Sequence, residues 1–178
     1  MNKESKTTIA NEESMESRLE QILNDALIKA TDTYSVPPQI IWVDNSTIAT
    51  LGNFSASTGK AKAKKTFNVS ALVAASLSNG TVLNYRACLP EGKRRILYVD
   101  TEQSRYHCHN VLARILKLAG LPTDMDNQNL NFIGLREYTP AIRMEVIDYA
   151  LAHNHGYGLV IIDGIRDLLL DINNAGES

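Results

Sequence analysis

The sequence predicts an α/β fold, with a parallel sheet flanked by helices on both faces and preceded by an N-terminal helix. Three observations predict it. From about Ile48 onward, short apolar stretches of strand character alternate with helical stretches, the pattern of strand–helix–strand units. "ILYVD" and "LVIID" each run through four apolar residues to an aspartate, as strands buried on both faces do. The chain has 178 residues, 44% of them hydrophobic and 21% charged, enough for one globular core and too little for two.

Residues 1–16 are polar and lack apolar periodicity, and are expected to form a flexible tail. Ser17 and Glu20 make a capping box, and Leu19, Ile22, Leu23, Ala26 and Leu27 follow at helical spacing, which predicts a helix to about Thr31. "SVPPQ" stops it, because successive prolines impose extended backbone. "IIWV" at 40–43 reads as a short strand or a packed linker. The expected layout is a tail at 1–16, a helix and linker at 17–47, and the α/β core at 48–178.

Within the core, "TIATLGNFSAST" predicts a strand that runs into Gly59, and "TFNVSALVAASLSNG" a helix apolar on nearly all faces that stops at Gly80. The strand "RRILYVDTE" follows. "QSRYHCHNVLARILKLAG" is an amphipathic helix, with Val111, Leu112, Ile115, Leu116 and Leu118 inward and Gly120 as its stop. "LNFIGL" is a third strand. Thr139 as N-cap and Pro140 as first helical residue open the next helix, which ends near Gly156, and "YGLVIIDG" is the fourth strand. The sequence has no internal repeat.

The bulk numbers exclude several classes. The formal net charge is −2, so the chain does not bind nucleic acid by overall charge, and any DNA contact must come from a local patch or another chain. No apolar run approaches the ~18 residues of a membrane span. The N-terminus lacks the apolar core of a secretory signal. Cys88 and Cys108, without framework spacing, fit a reducing compartment, which predicts the cytoplasm.

"GKAKAKKTF", residues 59–67, carries the chemistry. A phosphate-binding loop reads G-x-x-x-x-G-K-[ST]: backbone N–H groups wrap the phosphates, the lysine reaches the outer ones and the hydroxyl holds Mg²⁺. A register ending at Lys60 fails twice, with Phe54 at the first glycine and Ala61 at the hydroxyl. A register starting at Gly59 fails once. Lys60, Ala61, Lys62 and Ala63 form the interior, Lys64 stands where the second glycine is usual, and Lys65 and Thr66 close the motif before Phe67. A helix beginning near Lys65 adds free N–H groups and a favourable dipole for an anion. The blander reading is a solvated basic loop.

Two strands end in acid. "LVIIDG" supplies Asp163, and "ILYVDTEQ" supplies Asp100 and Glu102, all at the carboxyl edge where ligands bind in open α/β sheets. Strand, loop, helix, a strand ending "VDTE", a further strand and helix, then "VIIDG" resembles the RecA-like P-loop ATPase core over about residues 48–175. That superfamily includes RecA recombinases, DnaB-type replicative helicases and plasmid RepA-type helicases. The chain looks most like the AAA-type ATPases of bacterial plasmids and mobile elements. The resemblance implies ATP and Mg²⁺ as cofactors. It implies that Gly59 is the first loop glycine, Lys65 the Walker A lysine, Thr66 and Asp163 the Mg²⁺ ligands, and Glu102 the catalytic glutamate. It also implies single-stranded DNA as partner, through a segment past Ser178, and a homo-oligomer. RecA-like sheets insert one more strand between the Walker B strand and the P-loop strand. The core is therefore expected to be incomplete at its C-terminus, with a slot between the strand before Gly59 and the strand ending at Asp163.

Other features weigh less. His107, Cys108 and His109 are adjacent on a helix, about 100° apart, and cannot share one ion well; Cys108 is expected to pack inward. "HNH" at 153–155 lies at a helix end and reads as a C-cap. "EGKRR" at 91–95 reads as a solvated turn, while Arg166 and Asp167, just past Asp163, lie near the expected site. Three functions compete: a DNA-coupled ATPase, a nucleotide-gated regulator that does not turn over because Lys64 distorts the loop, and a small-molecule P-loop kinase. The last lacks an arginine-rich lid between the third strand and Asp163.

Overall fold

The computed structural model describes residues 3–59 and 64–169. The chain divides into two compact units, Met1–Val36 and Pro37–Ser178. The first holds helix α1, Lys3–Ala26. No glycine or proline interrupts this span, so nothing breaks the helix before Ser17, and the stretch expected as a tail is helical from Lys3. The helix also stops short of Thr31. Past Ala26 the Asp32 carboxylate takes the Lys29 N–H at 2.8 Å and the Tyr34 hydroxyl at 2.9 Å, a local bonding pattern that competes with helix.

The second unit contains two sheets. The first is antiparallel, in the order β2-β1-β4-β3, from β1 (Gln39–Val43), β2 (Ser46–Thr50), β3 (Thr81–Val82) and β4 (Tyr85–Ala87). "IIWV" is therefore a core strand and not a linker: Ile40 and Ile41 are buried with Ala87, Leu89 and the apolar face of the following helix. Sequence reading did not foresee β3 and β4, which are only two and three residues long.

β2 also departs from expectation. It ends at Thr50, in the antiparallel sheet, and residues 51–59 carry no strand. Just past Thr50, the Asn53 side-chain amide bonds the Thr50 hydroxyl at 2.7 Å and Gly52 takes φ +78°. That turn redirects the chain before the loop.

The second sheet is parallel, in the order β6-β5-β7, with β5 (Arg95–Asp100) at its centre between β6 (Leu130–Gly134) and β7 (Tyr157–Asp163). β7 pairs only with β5 among the described residues, so no ladder joins it to β2. Helices α2 (Lys65–Ser78) and α3 (Arg105–Leu118) cover one face. On that side Ile96 and Tyr98 of β5 pack with Val73, Val111 and Ile115. Helix α4 (Pro140–His153) covers the other, where Leu97 and Val99 meet Ile147 and Leu135. Alternate residues of β5 thus face opposite helices, as a strand buried on both faces requires.

Helix α2 lies close to its neighbours because its buried residues are small: Ser70, Ala71, Val73, Ala74, Ala75 and Ser76. The buried serine hydroxyls return to the Thr66 and Leu72 carbonyls at 2.6 and 2.9 Å. Asn79, rather than Gly80, takes the left-handed stop at φ 49°, and the Gly80 N–H closes on the Ala75 carbonyl. Thr139 accepts the Ile142 N–H and Pro140 opens α4, as expected.

Candidate nucleotide site

The loop's two ends are described, and they meet. Lys60, Ala61, Lys62 and Ala63 lie outside the described residues. The Lys65 ammonium donates to the Gly59 carbonyl at 3.1 Å, across the loop. Lys64 precedes α2 with φ 56° and ψ 28° and makes no side-chain cap bond. This is left-handed backbone, where glycine is the usual residue. The lysine adopts the conformation for which the motif normally carries a glycine, so the loop enters the helix without one. Lys65 and Thr66 form the first turn of α2, whose leading N–H groups have no partner within the helix. Phe67 follows, its N–H on the Lys64 carbonyl and its ring partly exposed.

Asp163 ends β7 beside Asp100, its register partner on β5. Burial, the largest effect, and the Asp100 charge push the Asp163 carboxyl above its ordinary pKa. The Tyr98 hydroxyl, the Lys65 ammonium and the Thr66 hydroxyl act on it in the opposite sense. The Lys65 charge and the Thr66 hydroxyl, at the start of α2, thus act on Asp163 at the end of β7, although the two elements are far apart in sequence.

The two acids after β5 differ sharply. Asp100 is fully buried, and its carboxylate accepts the Glu102 and Gln103 N–H groups at 3.0 and 2.8 Å and the Gln103 amide at 2.7 Å. Glu102 is exposed and lies against Gly164, the residue after Asp163. A Cβ on Gly164 would sit 2.8 Å from Glu102 Cγ and would overlap the Thr101 hydroxyl, and the backbone there has φ +96°. Thr101 is buried and ties β5 to the turn after β7. Its N–H meets the Asp163 carbonyl at 3.1 Å and its hydroxyl lies 2.8 Å from the Gly164 carbonyl.

Arg166 and Asp167 lie on a short 3-10 turn, Ile165–Leu168. With Thr101, Glu102, Arg136 and Arg143 they line an open concavity of about 650 Å³. Arg143 is committed to structure: it donates to the Leu135, Arg136 and Asp167 carbonyls at 3.0, 2.8 and 2.8 Å and so ties the segment after β6 to the 3-10 turn. Nothing in the local pattern "PAIRMEV" singles it out. Tyr98 and Gly164 were also missed, though the glycine directly after "VIID" is a signal that the turn needs space.

Cys108 is buried and its thiol is pushed up to about 11, chiefly by burial and then by the Asp100 charge. The His107 ring meets the Ser104 hydroxyl at 2.9 Å. Cys88 and Cys108 are both free thiols. At 153–155 the His153 ring meets the Tyr149 carbonyl at 2.9 Å and the Asn154 amide the Ala150 carbonyl at 3.1 Å, so these side chains do finish a helix.

With the loop, its lysine and the strand-end acids in place, the comparison with known families is decisive. The profile described as "AAA domain" matches residues 16–177. The chain belongs to the AAA domain family. No curated protein and no solved structure matches it. The AAA domain is a P-loop ATPase family, so membership suggests nucleotide binding and hydrolysis, and such domains generally bind ATP with Mg²⁺. The residues present fit that ion. A half-buried carboxylate and a nearby hydroxyl are hard oxygen donors. No group of three or more His, Cys, Asp or Glu that could hold a metal occurs among the described residues. No helix among the described residues is long and apolar enough to cross a membrane.

Proposed function

We propose that this AAA domain binds ATP with Mg²⁺ at the Gly59–Thr66 loop and hydrolyses it in the cytoplasm, coupled to replication, mobilisation or recombination of DNA. One observation carries the ATPase reading: the Lys65 charge and the Thr66 hydroxyl act on Asp163 while Glu102 packs on the adjacent Gly164. Lys65 is the phosphate ligand. Thr66 and Asp163 would hold the ion, which when bound neutralises charge on the phosphates. Glu102 is the general base. Its carboxylate takes a proton from water as the water oxygen bonds to the terminal phosphorus and the bridging P–O bond breaks, its electron pair leaving with ADP. The coupling to single-stranded DNA and the assembly into a homo-oligomer rest on the likeness of "VDTEQS" and "VIIDG" to the RecA-like strand ends.

The test is steady-state phosphate release by the wild type and Glu102→Gln, with and without single-stranded DNA. Wild-type release should need Mg²⁺ and rise with DNA. Glu102→Gln should lower kcat by about 10²–10⁴-fold, the usual contribution of a general base, with nucleotide affinity nearly unchanged. An equal loss of affinity would make Glu102 a structural or metal-shell carboxylate. Tight binding with no release by the wild type would favour a nucleotide-gated regulator.

A further inference from the structure

We propose that Tyr98 is a positioning residue for Asp163: its buried hydroxyl holds one carboxylate oxygen and thereby aims the other at the metal–nucleotide complex. The proposal rests on the reading of Asp163 as a metal ligand. Tyr98 is completely buried, at the centre of the middle strand of the parallel sheet. Its neighbours on that face, Ile96, Val73, Val111 and Ile115, are all apolar. Packing alone would be served by a phenylalanine. A buried phenol must find an acceptor or forfeit its hydration, and the acceptor here is Asp163 Oδ2, at 3.1 Å.

The geometry that makes this contact is fixed on both sides. In register, Tyr98 stands opposite Phe132 of β6 and Ile161 of β7. The Phe132 ring stacks on it with centroids 4.3 Å apart and planes 9° from parallel. The ring therefore cannot swing, and its hydroxyl reaches along β7 from Ile161 to Asp163. Terminal rotation of a free aspartate carboxylate is broad. A hydrogen bond from a fixed ring removes that freedom and leaves the second oxygen for other partners. The phenol is a donor at neutral pH, since an ordinary tyrosine loses its proton only near pH ~10. A neutral donor orients the carboxylate without cancelling its charge, which a lysine or arginine in this place would do.

The experiment is a Mn²⁺ titration of the full chain with a fluorescent ATP analogue, in wild type, Tyr98→Phe and Asp163→Ala, alongside binding of the analogue in excess chelator. Removing a group that orients a metal ligand typically costs about 10–100-fold in metal affinity. Tyr98→Phe should therefore raise the Mn²⁺ midpoint by about that factor and leave metal-free nucleotide affinity unchanged. A purely structural tyrosine would move both or neither. If Asp163→Ala shifts the midpoint and Tyr98→Phe does not, the positioning role is wrong while the site stands. If Asp163→Ala leaves the midpoint unchanged, the site reading falls and this proposal with it. Site-specific 3-fluorotyrosine at position 98 keeps the hydroxyl and guards against a folding defect in the phenylalanine variant. It should retain the wild-type midpoint, and its ¹⁹F resonance should move when Mn²⁺ is replaced by Mg²⁺ or chelator; a resonance indifferent to metal and nucleotide would overturn the proposal.

Discussion

Lys64 offers the sharpest quantitative test. It holds φ 56° and ψ 28° directly before α2, is exposed, and its side chain bonds nothing at the helix start. Left-handed backbone costs a non-glycine residue roughly 1–2 kcal/mol. Replacing it with glycine removes that cost but makes the unfolded chain freer, a loss of about 0.4–1 kcal/mol. No side-chain cap bond is lost. The net expectation for Lys64→Gly is a gain of about 0–1.6 kcal/mol, which for a chain of this size raises Tm by up to about 6 °C. Asparagine tolerates the same conformation, and this helix already uses Asn79 at φ 49° at its other end. Lys64→Asn should therefore fall between glycine and the wild type, while Lys64→Ala keeps the strained backbone and stays near the wild type.

Thermal melting of the three variants without nucleotide checks the order. A Lys64→Gly protein less stable than Lys64→Ala would refute the left-handed assignment and with it the claim that lysine here takes a glycine's conformation. Nucleotide affinity then separates shape from charge. If the ammonium helps hold the phosphates, all three variants bind more weakly at low salt, and the deficit shrinks as ionic strength rises.

Three further outcomes follow. Lys65→Ala should abolish nucleotide binding while Lys60→Ala keeps most of it; the reverse ranking in a titration would mean the loop register is wrong. Gly164→Ala should be destabilising and should depress phosphate release, because its φ is +96° and the added carbon meets Thr101 and Glu102; a wild-type melting point and rate would refute the crowding. Asp163 has a folded-state pKa raised by burial, so the folded protein binds the proton more tightly than the unfolded one, and this group's contribution to stability falls as pH rises from the ordinary carboxyl value through the raised one. Asp163→Asn should remove that portion of the pH dependence and raise Tm at neutral pH without nucleotide while weakening metal-dependent binding, and melting curves from pH 3 to 8 check it.

Much of the core was legible because its signals are local. The apolar run before Asp100 and the Thr139–Pro140 start of α4 are written in consecutive residues, and both elements lie where that pattern places them. The strand before the loop was misplaced because "TIATLGNFSAST" has strand composition throughout. What ends the strand at Thr50 is a side-chain bond from Asn53 and the positive φ of Gly52, neither of which a composition window weighs. The antiparallel sheet was missed for the opposite reason: β3 and β4 are too short to show a period, and the pairing of β4 with β1 joins residues some forty positions apart. Near the proposed site, the places of Lys65 at the start of α2 and Asp163 at the end of β7 were legible from the loop pattern and the apolar run before the acid. Tyr98 and Arg143 were not, since their roles are set by which backbone or carboxylate lies at the end of the side chain.

The two acids of "VDTE" sit in contrasting surroundings. Both stand at the carboxyl edge of β5, and either could serve as a base by position alone. Asp100 has three of its carboxylate's acceptor sites filled by the Glu102 and Gln103 donors, inside the protein. Buried and with those acceptor sites filled, the Asp100 carboxylate has no open face for an incoming water. Those same bonds fold the turn that carries Glu102. Thr101 ties that turn to the Asp163–Gly164 end of β7, and Arg143 ties the segment after β6 to the 3-10 turn that follows it. The ends of all three parallel strands are thus joined by polar contacts that leave Glu102 exposed on a fixed mount. A base must be free to gain a proton yet held where the water will be. Under the proposed ATPase reading, Glu102 suits the first requirement by its exposure and the second through the turn that Asp100 folds, and the buried Asp100 serves as that turn's anchor.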